Sequence, residues 1–157
     1  MTPKKITVLA ALGLFALISA AVLPSLSQAV TVDPSIAGMT NDQLVAARQA
    51  AMKEDEQLLR RAESLIGDEA VAAATTLLQN FTNLPALFKE GSKTSKSHAK
   101  DEIWQNWADF KGRFDADAAA AADMLKGAQD GDDDLYFSAI QTISNSCNSC
   151  HRQYKGF

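Results

Sequence analysis

Past residue 29 this chain holds no cluster of basic residues and no glycine loop of the kind that cradles phosphate, which excludes nucleic acid as its partner. Its 157 residues carry only two cysteines and two histidines. With no second cysteine pair and no His-x-x-x-His spacing, a zinc finger is not written here, although Cys147, Cys150, His98 and His151 would count as four formal ligands. Nothing around Cys147 alternates apolar and polar residues as a strand does, so the Cys-x-x-Cys pair lacks the βαβ surroundings of a thioredoxin-like redox motif.

What the chain does have is Cys147-Asn148-Ser149-Cys150-His151, a C-x-x-C-H pentapeptide, which reads as the attachment site of a c-type haem. The chemistry dictates the spacing. Two thiols add across the vinyl groups of one porphyrin, and on a helix positions i, i+3 and i+4 share a face, so Cys147, Cys150 and His151 can all meet one ligand. His151 then supplies the proximal nitrogen to iron. One covalent haem c is therefore the expected cofactor.

Export suits this reading. Residues 1–29 have the three parts of a secretory signal: Lys4 and Lys5, an apolar run from Ile6 to Leu23, and small residues Ser27 and Ala29 before a cleavage point. Gly13 inside the run and Pro24 at its end fit a processed signal better than a membrane anchor. Cleavage after Ala29 would leave about 128 residues, enough for one domain with a real core but not two. The whole chain has a formal charge of −4, and losing Lys4 and Lys5 makes the remainder more acidic. Such a surface is compatible with a basic electron-transfer partner. The expected localisation is periplasmic, with no membrane contact after processing.

Four helical segments follow a short lead-in at 30–39, so 40–157 should form one all-α domain. Thr40 and Gln43 can close a capping box, with Met39 and Leu44 as its hydrophobic staple. Leu44/Val45, Ala51/Met52, Leu58/Leu59 and Leu65/Ile66 recur every seven residues, the seam of a helix nearly parallel to its neighbours, and Gly67 is the natural stop. Asp68 can cap a second helix carrying Val71, Leu77, Leu78 and Phe81, which ends before Pro85. So tight a connection makes the two helices antiparallel. Lys89 to Lys100 reads as an exposed crossover loop in which His98 is solvated.

The third helix should start near Asp101, with Ile103, Trp107, Phe110, Phe114, Ala118, Ala121 and Leu125 on one stripe, and end at Gly127 or Gly131. The run Ala118 to Ala122 favours helix and permits close approach of a neighbour. Asp132, Asp133 and Asp134 favour the start of the fourth helix through its dipole. Its stripe, Tyr136, Ile140, Ile143, Cys147, Cys150 and Tyr154, carries the attachment cysteines into the core-facing row. The economical arrangement is an antiparallel up-down-up-down four-helix bundle with haem near the C-terminus.

At this point the chain resembles the cytochrome c′ family, the class II c-type cytochromes, which carry C-x-x-C-H near the end of a four-helix bundle. The resemblance spans about Thr40 to Phe157 and includes Arg48-Gln49-Ala50-Ala51-Met52, Leu84-Pro85-Ala86-Leu87-Phe88, Glu102-Ile103-Trp104 and Phe110-Lys111 in the family's order. It implies a periplasmic haem protein that either passes electrons through a low-spin haem or holds a five-coordinate haem able to bind nitric oxide or carbon monoxide. The partners implied are a redox protein or a small gas ligand, and a homodimer stays open, because many relatives pair through their first two helices. Enzyme activity is not expected, since no second cluster of acid, base or nucleophile accompanies the haem motif. Where the family often has Arg four residues after the haem-binding His, this chain has Lys155, which keeps the charge but loses the planar fork of donors.

Arg48 occupies a stripe position between Val45 and Met52 where an apolar residue would pack better. It is either a charged side chain snorkelling from the seam or, by the resemblance, a partner of a haem propionate. Of Trp104, Trp107 and Phe110, at least one is expected to touch the ring, with Trp107 and Phe110 the nominated cofactor contacts. Any second protein ligand of the iron must come from upstream, since no methionine or histidine follows His151. If the last turn centres near Asp130, His151 lies opposite roughly Asp109 on helix three, and Met124 is excluded at roughly 22 Å along the axis. The same depth in helix one is near Gln49, within a turn of Met52. Low-spin family members supply a thioether there, whereas some high-spin members carry a methionine without a bond. His151/Met52 coordination and electron transfer are the expectation; an open gas-binding site is the alternative.

Overall fold

The computed structural model describes residues 30–156, so the expected signal at 1–29 lies outside the described residues. Five α-helices follow one another: α1 (Asn41–Ala62), α2 (Gly67–Asn83), the single turn α3 (Glu102–Gln105), α4 (Trp107–Asp130) and α5 (Asp133–Tyr154). α1, α2, α4 and α5 make a four-helix bundle. Short 3-10 turns at Pro34–Gly38 and Leu84–Phe88 seal one end, the first burying Ile36. Among the described residues no helix is long and apolar enough to cross a membrane.

The helix starts follow local chemistry. Thr40 accepts from the Gln43 amide while the Gln43 side chain accepts from the Thr40 amide, the reciprocal box that satisfies two orphan donors and is worth about 1 kcal/mol. Met39 packs against the core that contains Leu44. Asp132 caps α5 by accepting from the Leu135 amide at 3.0 Å, with Asp133 and Asp134 in the first turn, where the helix dipole favours negative charge.

The helix ends depart from expectation in three places. α1 stops at Ala62 rather than running to Gly67, because Ser64 turns its hydroxyl back on the Arg61 carbonyl and its amide bonds the same oxygen. Ile66 is consequently 82% exposed instead of lying on the seam. Gly67, at φ 55°, is the first residue of α2 and takes the left-handed conformation the reversal needs, so Asp68 is not the cap. The expected third helix is broken at Asn106 (φ −119°, ψ 42°), and within α4 Phe110, Phe114 and Ala121 stay on the expected inward face. Asp117, Met124 and Gly127 turn inward, and Trp107 turns partly out.

The core is continuous through the bundle. Phe110 on α4 is ringed by Phe88, Phe114 and Tyr154 at centroid distances of 4.8, 5.2 and 5.1 Å, each edge to face, the geometry that aromatic quadrupoles favour. At the other end Tyr136 donates its hydroxyl to the Ala62 carbonyl, lashing the start of α5 to the end of α1. α4 packs closely on both α2 and α5, aided by Ala121 and by Gly127, where a methyl group would fall 2.7 Å from the Tyr136 amide nitrogen. α1 packs on α2 and the Leu84–Phe88 turn but touches α5 at few points. That thin α1/α5 seam is where the site lies.

Candidate functional site

α5 presents the expected row. Tyr136, Ile140, Ile143 and Tyr154 are buried, and Cys147 and Cys150 are half-buried between them. Both thiols are free. Burial first, then the carboxylates of Asp117 and Asp55, pushes Cys147 up to about 11. Burial likewise raises Cys150 to about 11, against an opposing pull from Arg113. The thiols are therefore protonated at neutral pH. His151, one helical turn beyond Cys147, is exposed, yet partial loss of water around its ring, followed by repulsion from Lys155, lowers its pKa. A neutral imidazole has the free lone pair that a metal requires.

The opposing face of α1 carries Met52, Asp55, Glu56 and Leu59, spaced i, i+3, i+4, i+7. Glu56 is close enough for its charge to act on Cys147, His151 and Lys155, and Asp55 acts on Cys147. These pairings register α1 against α5. Met52, half-buried, lies one turn before Glu56, about 6 Å along the axis, at the level of the C-terminal end of α5.

The end of α5 is held from α4. Arg113 donates to Asp109, to Ser149 Oγ at 3.3 Å and to Gln153 Oε1 at 3.0 Å, while the Tyr154 hydroxyl donates to Asp109 at 2.5 Å. The crossover loop supplies a second brace. The Lys100 amide donates to the Tyr154 carbonyl and the Gly156 amide to the His98 carbonyl, so the backbone at His98 is braced while its side chain is exposed, as expected. Among the described residues no three His, Cys, Asp or Glu side chains converge as metal ligands, and the formal zinc set of Cys147, Cys150, His98 and His151 does not assemble.

Arg48 is 3% exposed and does not snorkel. Its Nη1 donates to the Leu87 carbonyl and Ser92 Oγ, and its Nη2 to the Ser92 carbonyl and Ser97 Oγ, while the guanidinium lies 4.5 Å from the Phe88 ring centroid. The loop expected to be exposed is thus pinned to α1, with Ser92 fully buried. Only Nε–H of Arg48 is without a partner among the described residues. Phe110 lies within the ring cluster beside Tyr154, whereas Trp107, 36% exposed, lines an outer cleft of about 740 Å³ with Trp104, Pro85, Pro34 and Val32. Trp104 Nε1 donates to the Phe88 carbonyl.

Two buried acids escaped the sequence reading. Asp55 (4% exposed) accepts from Asn80 Nδ2 at 2.8 Å, and its other oxygen has no partner among the described residues. Asp117 (7% exposed) accepts from Ser146 Oγ at 3.0 Å. Both flank Cys147. Their signal was available: Asp55 falls seven residues after Arg48, and Asp117 seven after Phe110, each on a row that is otherwise inward.

The donors fit a c-type haem. Two free thiols and an imidazole share one helical face, the facing helix barely contacts that face, and a buried carboxylate oxygen there is left without a partner. Comparison with known proteins agrees. A family model described as cytochrome c′ matches residues 43–155. A cytochrome c-556 of Agrobacterium tumefaciens is 38% identical over 88 residues, covering 55% of this chain and 70% of that protein. A cytochrome c′ of Rhodospirillum rubrum is 30% identical over 89 residues, covering 56% and 58%. The solved structure of a cytochrome c′ with an unusual ligand-controlled dimer dissociation superposes with a TM-score of 0.69 over 76% of this chain and 99% of that one, at 20% identity, a likeness of fold. The family's proteins are non-enzymatic, typically periplasmic haem proteins. A matched model spanning nearly the whole bundle, with the Cys147/Cys150 pair near its end, places this chain in the cytochrome c′ family, whose members bind one covalent haem c.

Proposed function

We propose that this chain is a periplasmic one-electron carrier, exported by residues 1–29, in which 40–157 hold one haem through Cys147 and Cys150 with His151 and Met52 as the protein's iron ligands. The observation that carries the reading is the register of α1 on α5: Glu56 faces His151 and Lys155, and Met52 stands one turn along the same half-buried face. When bound, the haem supplies a metal centre that cycles between two oxidation states.

The chain's own residues do the rest. Cys147 and Cys150 fix the ring's edge to α5. His151 offers a neutral nitrogen, and a thioether from Met52 favours the reduced metal and raises the potential. Arg113, Asp109 and Tyr154 hold the end of α5 that carries His151, which would keep that side chain in place in both oxidation states and the reorganisation small. The Phe88/Phe110/Phe114 cluster excludes water behind the site. Arg48 mainly pins the crossover loop, leaving Nε–H to offer a propionate. Its partner would be a redox protein, and α1 and α2 leave a face for a second copy.

Optical spectra of the oxidised and reduced protein test this. A low-spin spectrum that Met52→Leu converts to high-spin, with carbon monoxide binding only in the variant, is the expected result. A wild-type spectrum already high-spin and unchanged by Met52→Leu would move the function to gas binding.

A further inference from the structure

Two acids beside the attachment cysteines are not among the residues proposed to anchor the haem or ligate its iron, and their placement is costly. Asp55 on α1 and Asp117 on α4 are both buried, and one Asp55 oxygen meets no donor among the described residues. A carboxylate in such a place keeps its charge only at a price in solvation, and a like charge nearby raises the cost further. We propose that Asp55, faced by Asp117 across the bundle interior, is a proton-binding site that takes up one proton as the haem iron is reduced.

The surroundings leave the proton as the means of neutralising Asp55. From α2, Asn80 Nδ2 donates one neutral hydrogen bond to Asp55 and another to Glu54 Oε2. Glu54 on its own helix and Asp117 on α4 both repel it. From α5 it faces Cys147, which is uncharged as a thiol and as a thioether. Asp117 has Ser146 as a donor, Arg113 as a distant cation on its own helix, and Cys147 and Cys150 facing it. Among the described residues no cation thus lies against Asp55. In agreement, burial first of all raises Asp55 to about 7 and Asp117 to about 6.

The balance is simple. Ferric iron accepts one electron from an external one-electron donor, one Asp55 oxygen gains a proton from water, and the interior's net charge is unchanged. The added electron raises the proton affinity of Asp55, and by reciprocity the proton raises the affinity of the iron for the electron. The inference rests on haem lying at the α1/α5 seam but not on Met52 as a ligand, so the Met52→Leu spectrum and the test below fail separately.

The test is the midpoint potential of the holoprotein from about pH 5 to about pH 9, with a reduced-minus-oxidised infrared difference spectrum of the wild type. The potential should fall with pH, approaching about 59 mV per unit, the tenfold step for one electron. Asp55→Asn should flatten that slope and Asp55→Glu restore it. The infrared difference should show a protonated carboxyl carbonyl gained on reduction. A slope that survives Asp55→Asn, or one abolished by Asp117→Asn alone, would overturn the assignment. So would a wild-type infrared difference without a carboxyl band, a result that needs no variant to fold.

Discussion

Replacing Arg48 with alanine should cost about 3 kcal/mol of folding stability, and the structure says where the loss arises. Four guanidinium hydrogen bonds to Leu87, Ser92 and Ser97 disappear together, along with the stacking on Phe88. The Ser92 side chain is fully buried, so its hydroxyl and carbonyl lose their partner in a place water enters only if the loop opens. Each orphaned group costs about 1–3 kcal/mol, and the lost cation–π contact about 1 kcal/mol more. Against this, a charged group no longer has to be desolvated, which returns part of the loss. The net of about 3 kcal/mol corresponds to a fall of roughly 10 °C in the melting temperature of a domain this size. Arg48→Lys should lose about half as much, because an ammonium can stack on Phe88 but cannot span both sides of the loop. Thermal unfolding gives the magnitude, and amide hydrogen exchange should show faster exchange in the loop around Ser92. A loss under about 1 kcal/mol with unchanged exchange there would refute the clamp.

At Gly127, a substitution to alanine would set its methyl 2.7 Å from the Tyr136 nitrogen and 2.9 Å from the Asp132 carbonyl oxygen, backbone atoms that cannot swing aside. α4 and α5 must separate, at about 1–3 kcal/mol, and a melting temperature equal to wild type would contradict the close crossing. Stability should also depend on pH through the buried acids. Asp55 and Asp117 titrate at about 7 and about 6 in the folded chain, against about 4 when unfolded, so between those limits the folded state binds more protons. Stability therefore falls as pH rises through about 4 to 7 and levels above it. Urea midpoints should show this decline, and Asp55→Asn should shrink it; a rise across the same window would contradict the assignment.

The features legible in the sequence are those decided within a few residues. The Thr40/Gln43 box, the acidic start of the fourth helix at Asp132 to Asp134 and the row from Tyr136 to Tyr154 each follow from residues on one helix, and the structure has all three. Ile66 continued a seven-residue rhythm, but a single hydroxyl at Ser64 ended the helix first. The break at Asn106 separates Ile103 from the helix that follows and leaves Trp107, at that helix's start, on an outer cleft, while Phe110, Phe114 and Ala121 keep the expected inward row. Arg48, Asp55 and Asp117 were harder for a different reason. What a buried charged group does depends on partners 25 to 49 residues away, as Asn80 for Asp55 and Ser97 for Arg48 show, and periodicity carries no such information.

The central claim, one haem held covalently at Cys147 and Cys150 in an exported chain, is tested most directly by the intact mass of protein purified from the periplasm under denaturing conditions. The account predicts a chain beginning near Val30 plus one haem. It predicts weakened attachment when either cysteine is replaced by serine, and loss of the haem mass when both are. A full-length chain retained in the membrane fraction, or a mass without haem in wild type, would contradict it.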